Sequence, residues 1–136
     1  MTVRALRVLD LTDELALMAG RLLVGAGADV IRIERSDRPS PGAAARLHWH
    51  AGKRTVQVSD HEVQSVVSRL LPDADIVIES GPVADLRTIT LREQNPAGWA
   101  HVAHVVVTPF GLTGPRQPRR RRRQPNQPAG RGGRTG

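Results

Sequence analysis

The chain has 136 residues, with 20 Lys and Arg against 13 Asp and Glu, and a formal net charge of +7. Residues 116–136 hold eight arginines and no acid, whereas residues 1–115 carry a net charge of −1, which excludes a basic nucleic-acid-binding fold spread over the whole chain. The absence of cysteine excludes a disulfide framework, a thiolate nucleophile and a cysteine zinc site.

The beginning of the chain predicts a strand, a helix and a second strand. Residues 5–11 form a short apolar run that is typical of a buried strand. From Asp13 to Val24 the apolar residues follow helical spacing, and Gly25 and Gly27 end this helix. Residues 29–34 alternate with period two and are rich in β-branched side chains, which predicts the second strand.

The middle of the chain predicts a loop, a strand and another helix. Residues 36–52 include the turn-forming run Pro39-Ser40-Pro41-Gly42 and are predicted to form a long loop. Residues 54–58 alternate again and predict the third strand. The apolar spacing of residues 61–71 predicts an amphipathic helix, which Ser59-Asp60 begin and a proline ends.

The remaining elements complete an alternation of strands and helices. Residues 75–79 predict the fourth strand, residues 86–94 a short helix, and residues 99–108 the fifth and most apolar strand. Strands separated by helices at this spacing imply right-handed βαβ units. The sequence therefore predicts an α/β fold with a Rossmann-like, mostly parallel sheet of about five strands.

The composition changes abruptly after Pro115. Residues 116–136 hold one apolar side chain, Ala129, among Arg, Pro, Gln and Gly, so we expect a disordered basic tail after a domain of residues 1–115. The run Arg119–Arg123 can bind phosphate, which leaves open a non-enzymatic pseudo-enzyme or a nucleic-acid-associated module. A solvated tail is the favoured interpretation, because no recognition motif accompanies the arginines.

Ligands of parallel α/β sheets bind at the carboxyl ends of the strands. In this chain those ends are Thr12-Asp13, Glu34-Arg35, Ser80-Gly81-Pro82 and Thr108-Pro109. They suit a nucleotide-like ligand, although a scaffold whose strand ends bind nothing is the alternative. NAD is excluded, because the glycine-rich loop should open the first helix and Gly25-Ala26-Gly27 lies at its far end.

Histidines and strand-end acids offer weaker candidates for chemistry. Two histidine pairs lie close in sequence: His48 with His50, on one side of a segment expected to be extended, and His101 with His104. Neither pair has an apparent third metal ligand, so we expect loop positions for the first pair and core or edge positions for the second. Three acids near strand ends can meet in space, but we favour capping and loop hydrogen bonds for them: Asp10, Glu34 and Glu79.

Several segments together resemble the N-terminal part of the family III CoA-transferases, the superfamily of formyl-CoA transferase, carnitine dehydratase and α-methylacyl-CoA racemase. Each segment is weak alone, but their order and spacing over residues 5–115 are specific. The matching segments are Leu6-Arg7-Val8-Leu9-Asp10-Leu11-Thr12, Ala19-Gly20-Arg21-Leu22-Leu23, Gly27-Ala28-Asp29-Val30-Ile31-Arg32-Ile33-Glu34-Arg35, Gly52-Lys53-Arg54-Thr55-Val56, Ala74-Asp75-Ile76-Val77-Ile78-Glu79-Ser80, Asn95-Pro96, Thr108-Pro109-Phe110-Gly111 and Thr113-Gly114-Pro115.

The resemblance implies transfer of CoA between an acyl-CoA and a carboxylic acid, with coenzyme A bound as part of the substrate and no metal. It places Arg35 against the adenine and phosphates of CoA, and Lys53 in contact with CoA as well. Ser80 and Gly81 stand where the family usually has an Asn-Phe pair along the pantetheine path. Leu15 falls in the region of the family's first CoA-contacting loop.

The departures from the family concern catalysis and assembly. In the transferases an aspartate beyond the Thr-Gly-Pro segment accepts the acyl group, and residues 116–136 contain no Asp, Glu or His. No catalytic residue is therefore assigned, and we expect an incomplete sheet in a chain that is truncated, frame-shifted, half of a split enzyme or a gene remnant. Such a chain should be inactive alone and unable to form the family's interlocked homodimer.

No signal peptide and no run of the roughly 18–20 apolar residues that span a bilayer are visible in this sequence. We therefore expect no membrane partner. Nucleic acid is an improbable partner, since aromatic stacking side chains are scarce. The resemblance implies a cytoplasmic protein.

Overall fold

The computed structural model describes residues 4–114, which form one parallel five-stranded sheet with helices on both faces. The predicted α/β fold is confirmed. The predictions for residues 116–136, including disorder and phosphate binding by Arg119–Arg123, lie outside the described residues. Within residues 4–114, no helix has the length and apolar character needed to cross a membrane.

All five predicted strands are present, and their order in the sheet is β3-β2-β1-β4-β5. The strands are β1 (Arg7–Leu11), β2 (Asp29–Arg35), β3 (Arg54–Val58), β4 (Ile76–Ser80) and β5 (Ala103–Val107). The helices are α1 (Leu17–Gly25), α2 (Ala43–Trp49), α3 (Val63–Leu70) and α4 (Thr88–Gln94). The register aligns Asp10 of β1 with Arg32 of β2, and Leu11 of β1 with Glu79 of β4.

The two faces of the sheet carry separate apolar clusters. On one face, α1 covers Val8, Val30 and Ile78. On the other face, α3, α4 and a 3₁₀ turn at Pro96–Trp99 cover the larger cluster, which includes Leu9, Ile33, Val58, Val63, Val67, Val77, Leu91 and Trp99. Because side chains alternate between the faces of a strand, Asp10 lies on the α1 face and Arg35 lies on the α3 face.

The helices change faces where the order of the strands reverses. The chain runs from β1 outward through β2 to β3, and then returns past β1 to β4 and β5. Right-handed connections place helices on opposite faces for these two directions. The adjacent carboxyl ends of β1 and β4 therefore form a topological switch point, the usual ligand site of open α/β sheets.

Three local predictions were wrong. The first helix begins at Leu17 rather than Asp13, because Asp13 closes a turn in which its carboxylate accepts from Leu15 N at 3.0 Å and its carbonyl from Ala16 N at 3.1 Å. The loop predicted for residues 36–52 contains α2, whose alanines favour helix. Trp99 belongs to a 3₁₀ turn that buries its ring, and β5 begins at Ala103.

Candidate functional site

At the switch point, hydrogen bonds between Asp13 and Ser80 connect the segment after β1 to the end of β4; we call this pair the Asp13–Ser80 junction. Ser80 Oγ donates to Asp13 Oδ1 at 2.6 Å, and Asp13 N donates to Ser80 Oγ at 2.9 Å. The same Asp13 oxygen accepts from Leu15 N. Gly81 has a φ of 146° and passes the carboxylate so closely that a Cβ would lie 3.3 Å from Asp13 Oδ2. Asp13 thus brings three predicted CoA-binding residues together: Leu15, Ser80 and Gly81.

On the α1 face a buried network of charges lies beneath this edge. Asp10 is fully buried and accepts from Lys53 Nζ at 2.6 Å, while its other oxygen accepts from Thr12 N and Oγ1 and lies 3.5 Å from Arg32 Nη1. Arg32 also donates to Glu34 at 3.2 Å. The Lys53 side chain has no exposed surface, so its ammonium group is held inside the protein.

The network ties α2 and the following turn to the sheet. Arg46 of α2 donates to Glu34 at 3.0 Å, and Lys53 Nζ lies 3.1 Å from His50 Nδ1. Because an ammonium group only donates, Nδ1 accepts, and the neutral imidazole is the fitting form. Burial of the ring, with Arg32 and Lys53 nearby, lowers the pKa of His50 from 6.5 to about 4.

Two glycines occupy tight positions at and beside this network. A Cβ on Gly20 of α1 would overlap the Asp10 carboxylate and lie 2.6 Å from Lys53 Nζ. Gly52, in the turn before β3, has a φ of +80°, which glycine adopts readily, and a Cβ there would lie 2.7 Å from Val24 Cγ1 of α1. The Gly52-Lys53 sequence therefore positions a buried cation rather than an exposed one.

Arg35 occupies the opposite face of the same edge, at the end of β2. Its guanidinium Nη2 lies 2.9 Å from Asp37 Oδ2 and 2.7 Å from Asp60 Oδ1. The hydrogen bond from Arg35 lowers the pKa of the Asp37 carboxyl below its usual value. Asp60 also pairs with Arg87, at 3.3 Å. Arg35 is thus already bound by two carboxylates of the chain itself.

The three strand-end acids do not converge. Asp10 and Glu34 both contact Arg32 in the buried network. Glu79 lies on the other face, where it accepts from Arg87 N, Thr88 N and Thr88 Oγ1 at the start of α4. The expected capping role of Glu79 is confirmed, whereas the expectation was wrong for Glu34, which makes buried ion pairs with Arg32 and Arg46.

The histidine pairs do not form metal sites in the described residues. His48 and His50 stand at the end of α2, not on an extended segment: His48 contacts Arg21 and His50 is buried against Lys53. His104 is hydrogen-bonded to Thr88 Oγ1, and His101 contacts the carbonyl of Leu71. Between residues 4 and 114 no three His, Asp or Glu side chains are grouped as metal ligands would be.

The strand-end residues of β5 add one free polar group. Thr108 Oγ1 is buried and has no hydrogen-bond partner among residues 4–114. The carbonyl of Val107 accepts from Gly81 N at 3.1 Å, which links the end of β5 to the switch point.

The predicted ligand residues therefore lie in three places: at the Asp13–Ser80 junction, in the buried network, and at Arg35 on the other face. Sequence reasoning named Asp13 as a strand-end residue without its link to Ser80, and it missed Asp60 and Gly20 as organisers of these places. Asp60 lies two positions after the end of β3, as Asp13 does after β1, so strand-end position was a usable signal for Asp60 as well. The role of Gly20 depends on tertiary packing alone.

The family model described as CoA-transferase family III matches residues 4–122 of this chain. The chain is 35% identical over 126 residues to the succinyl-CoA:(R)-benzylsuccinate CoA-transferase subunit BbsE of Thauera aromatica. This match covers 80% of this chain and 31% of that protein. Among solved structures, a CAIB/BAIF family protein from Brucella suis matches with a TM-score of 0.66 and 28% identity.

A hypothetical protein from Mycobacterium tuberculosis matches with a TM-score of 0.61 and 29% identity. Each of the two solved structures is matched over 84% of this chain and 35% of its own length. The chain therefore spans about a third of the length of the relatives it matches.

Proposed function

The chain belongs to CoA-transferase family III, and from this premise we propose that it supplies the CoA-binding part of an enzyme that transfers CoA between an acyl-CoA and a carboxylic acid. The match of the family model over residues 4–122 is the observation that carries this proposal. We place the reaction in the cytoplasm, as the family resemblance implies.

The residues gathered at the switch point support a position for CoA at the carboxyl ends of β1 and β4. Leu15, Ser80 and Gly81 gather around Asp13 at the adjacent ends of β1 and β4, where α/β sheets bind nucleotide-like ligands. We propose that the pantetheine arm of CoA passes this junction. The exposed side chain of Leu15 offers apolar contact there, whereas Ser80 and Gly81 are buried beneath it against Asp13.

Arg35 is the proposed partner of the CoA phosphates. A guanidinium group binds phosphate oxygens through paired N–H donors, and Arg35 stands at the carboxyl edge of the sheet. Lys53 is the second proposed contact. Since its ammonium group is buried against Asp10, contact with CoA would require the Lys53 side chain to leave that carboxylate.

Stabilisation by CoA tests the proposal. At a CoA concentration about one hundred times the dissociation constant, binding should stabilise the folded chain by about 2.7 kcal/mol, visible as a higher melting temperature. Arg35→Ala should weaken CoA binding by about tenfold or more, because a charge-assisted hydrogen bond is lost.

Arg4→Ala is the matched control. Arg4 pairs with Asp75 at 2.8 Å before the amino ends of β1 and β4, so its removal deletes the same charge away from the proposed site. CoA affinity should then change by no more than about twofold. An equal loss in both variants, or no stabilisation of the unsubstituted chain, would contradict the proposed site.

Turnover is proposed to need more than this chain. The relatives it matches are about three times as long, and the Thauera aromatica protein is named a subunit. The chain alone should give no acyl-CoA exchange with oxalate, succinate or carnitine-type acceptors. A measurable rate that Arg35→Ala abolishes would show that residues of this chain suffice for catalysis.

A further inference from the structure

One carboxylate bridges two guanidinium groups at the edge of the sheet. Asp60 Oδ1 lies 2.7 Å from Arg35 Nη2 and 3.3 Å from Arg87 Nη2. The two arginines belong to different segments, the end of β2 and the start of α4. Asp60, in the turn that leads into α3, thus joins three segments through one side chain.

This position is the one that a ligand phosphate oxygen would take between two arginines. Phosphate and carboxylate oxygens use the same N–H donors of a guanidinium group at similar distances. Asp60 is 45% exposed and Arg35 is 17% exposed at the side chain, so the carboxylate is the accessible partner of a more enclosed cation. A ligand reaching Arg35 must therefore compete with Asp60.

There is space beside two of the three bridged groups. A groove of about 360 Å³ runs between α3 and the segment that leads into α4, and it is lined by Asp60 and Arg87 but not by Arg35. The Asp60 carboxylate can turn away from Arg35 without displacing the core, because it is exposed. Asp37 remains on Arg35 when Asp60 leaves, so the arginine keeps one partner.

We propose that Asp60 is an internal competitor for the ligand phosphate at Arg35, which makes the site selective for polyanionic ligands over singly charged ones. The inference rests on the proposed function, in which Arg35 binds the phosphates of CoA. A diphosphate carries more negative charge than the Asp60 carboxylate and therefore displaces it from Arg35. A singly charged ligand would only exchange one single negative charge for another, so it gains little binding free energy.

Asp60→Asn tests the competition directly. The amide keeps the shape of the side chain and removes its charge, so CoA and inorganic pyrophosphate should bind about three- to tenfold more tightly than to the unsubstituted chain. Pantetheine, which has no phosphate, should bind equally to both. A merely structural role of Asp60 would instead weaken all three ligands.

Asp85→Asn is the control for charge. It removes an equally accessible carboxylate that pairs with Arg38 at 2.9 Å and has no ion pair with Arg35 or Arg87. Its effect on CoA and pyrophosphate should stay within about twofold. Asp60→Ser provides the same test as Asp60→Asn if the amide variant loses structure in a melting experiment.

The outcomes separate the two proposals. If the unsubstituted chain binds CoA but neither Asp60 variant binds it more tightly, the competition is overturned and the proposed function stands. If the variants gain affinity for pyrophosphate while no chain binds CoA, the competition stands and the proposed function falls. Absence of any binding by every chain would overturn both.

Discussion

At the scale of single residues, Gly20 shows how one missing side chain organises the interior. It lies in α1, directly above the ion pair between Lys53 and Asp10, and it leaves space for both groups. Glycine within a helix costs about 1 kcal/mol relative to alanine. Here that cost is outweighed, because a methyl group would occupy the place of a buried ion pair.

Gly20→Ala should therefore destabilise the protein although it raises helix propensity. The new Cβ would separate Lys53 from Asp10, and breaking a buried ion pair costs about 3 kcal/mol or more. Urea unfolding of both chains measures the difference. Gly25→Ala, at the end of the same helix with open space around it, is the control and should cost nothing. Equal or greater stability of Gly20→Ala would contradict the packing of Gly20 against the Lys53–Asp10 ion pair.

His50 should give the folded chain a pH dependence between pH 7 and pH 5. The unfolded chain protonates this ring near pH 6.5, but burial and the charges of Arg32 and Lys53 lower the pKa in the folded chain to about 4. The unfolded state therefore binds the proton first, and stability falls by about 2 kcal/mol as the pH drops across this range.

Denaturant unfolding of His50→Gln at pH 7 and pH 5 measures this contribution. The variant should lose about 2 kcal/mol less than the unsubstituted chain on acidification. Burial also lowers the pKa of His104, which adds a loss of the same sign to both chains, so only their difference reports on His50. Identical pH dependence of the two chains would show that His50 does not resist protonation.

At the scale of elements, the start of α4 depends on a side chain from β4. Glu79 accepts at 2.9 Å from Arg87 N and from Thr88 N, and at 2.6 Å from Thr88 Oγ1. These groups are buried or half-buried. The first turn of α4 thus has its free N–H groups satisfied by the sheet rather than by its own N-cap residue.

Glu79→Gln should lower the free energy of unfolding by about 1–3 kcal/mol, because the amide accepts these hydrogen bonds through one oxygen and without charge. The exposed Glu93 of α4 provides the control, and Glu93→Gln should change stability by less than about 0.5 kcal/mol. Thermal and urea unfolding compare the three chains. Equal stability of the two variants would mean that Glu79 does not anchor α4.

Most elements were predictable from local pattern, and the exceptions have tertiary causes. The strands at 54–58 and 29–34 were correct because alternation and β-branching are local signals. The helix α2 was missed, since Pro and Gly precede it and it buries none of its residues fully. It is fixed to the sheet by Arg46 and Glu34, a pairing that no local pattern reveals.

At the scale of the whole molecule, the two faces of the sheet carry their charged side chains differently. The α1 face encloses Lys53, Arg32, Asp10 and Glu34, whereas the α3 face presents Arg35 with exposed carboxylates at the edge. Between them the junction of Asp13 and Ser80 joins the two halves of the sheet. The carboxyl edge of the sheet thus carries the exposed Leu15 beside the Asp13–Ser80 junction, with Arg35 on the other face.

The sequence alone determined the α/β class, the alternation of strands and helices in a mostly parallel sheet, and the family. It could do so because apolar periodicity and the order of motifs are properties of the linear chain. Tertiary structure alone decided what the charged residues do. Lys53 is buried in an ion pair with Asp10, 43 positions earlier in the chain, and Arg35 forms an ion pair with Asp60, 25 positions later. The physical reason is that an ion pair depends on the distance between side chains in space, which only the folded sheet sets.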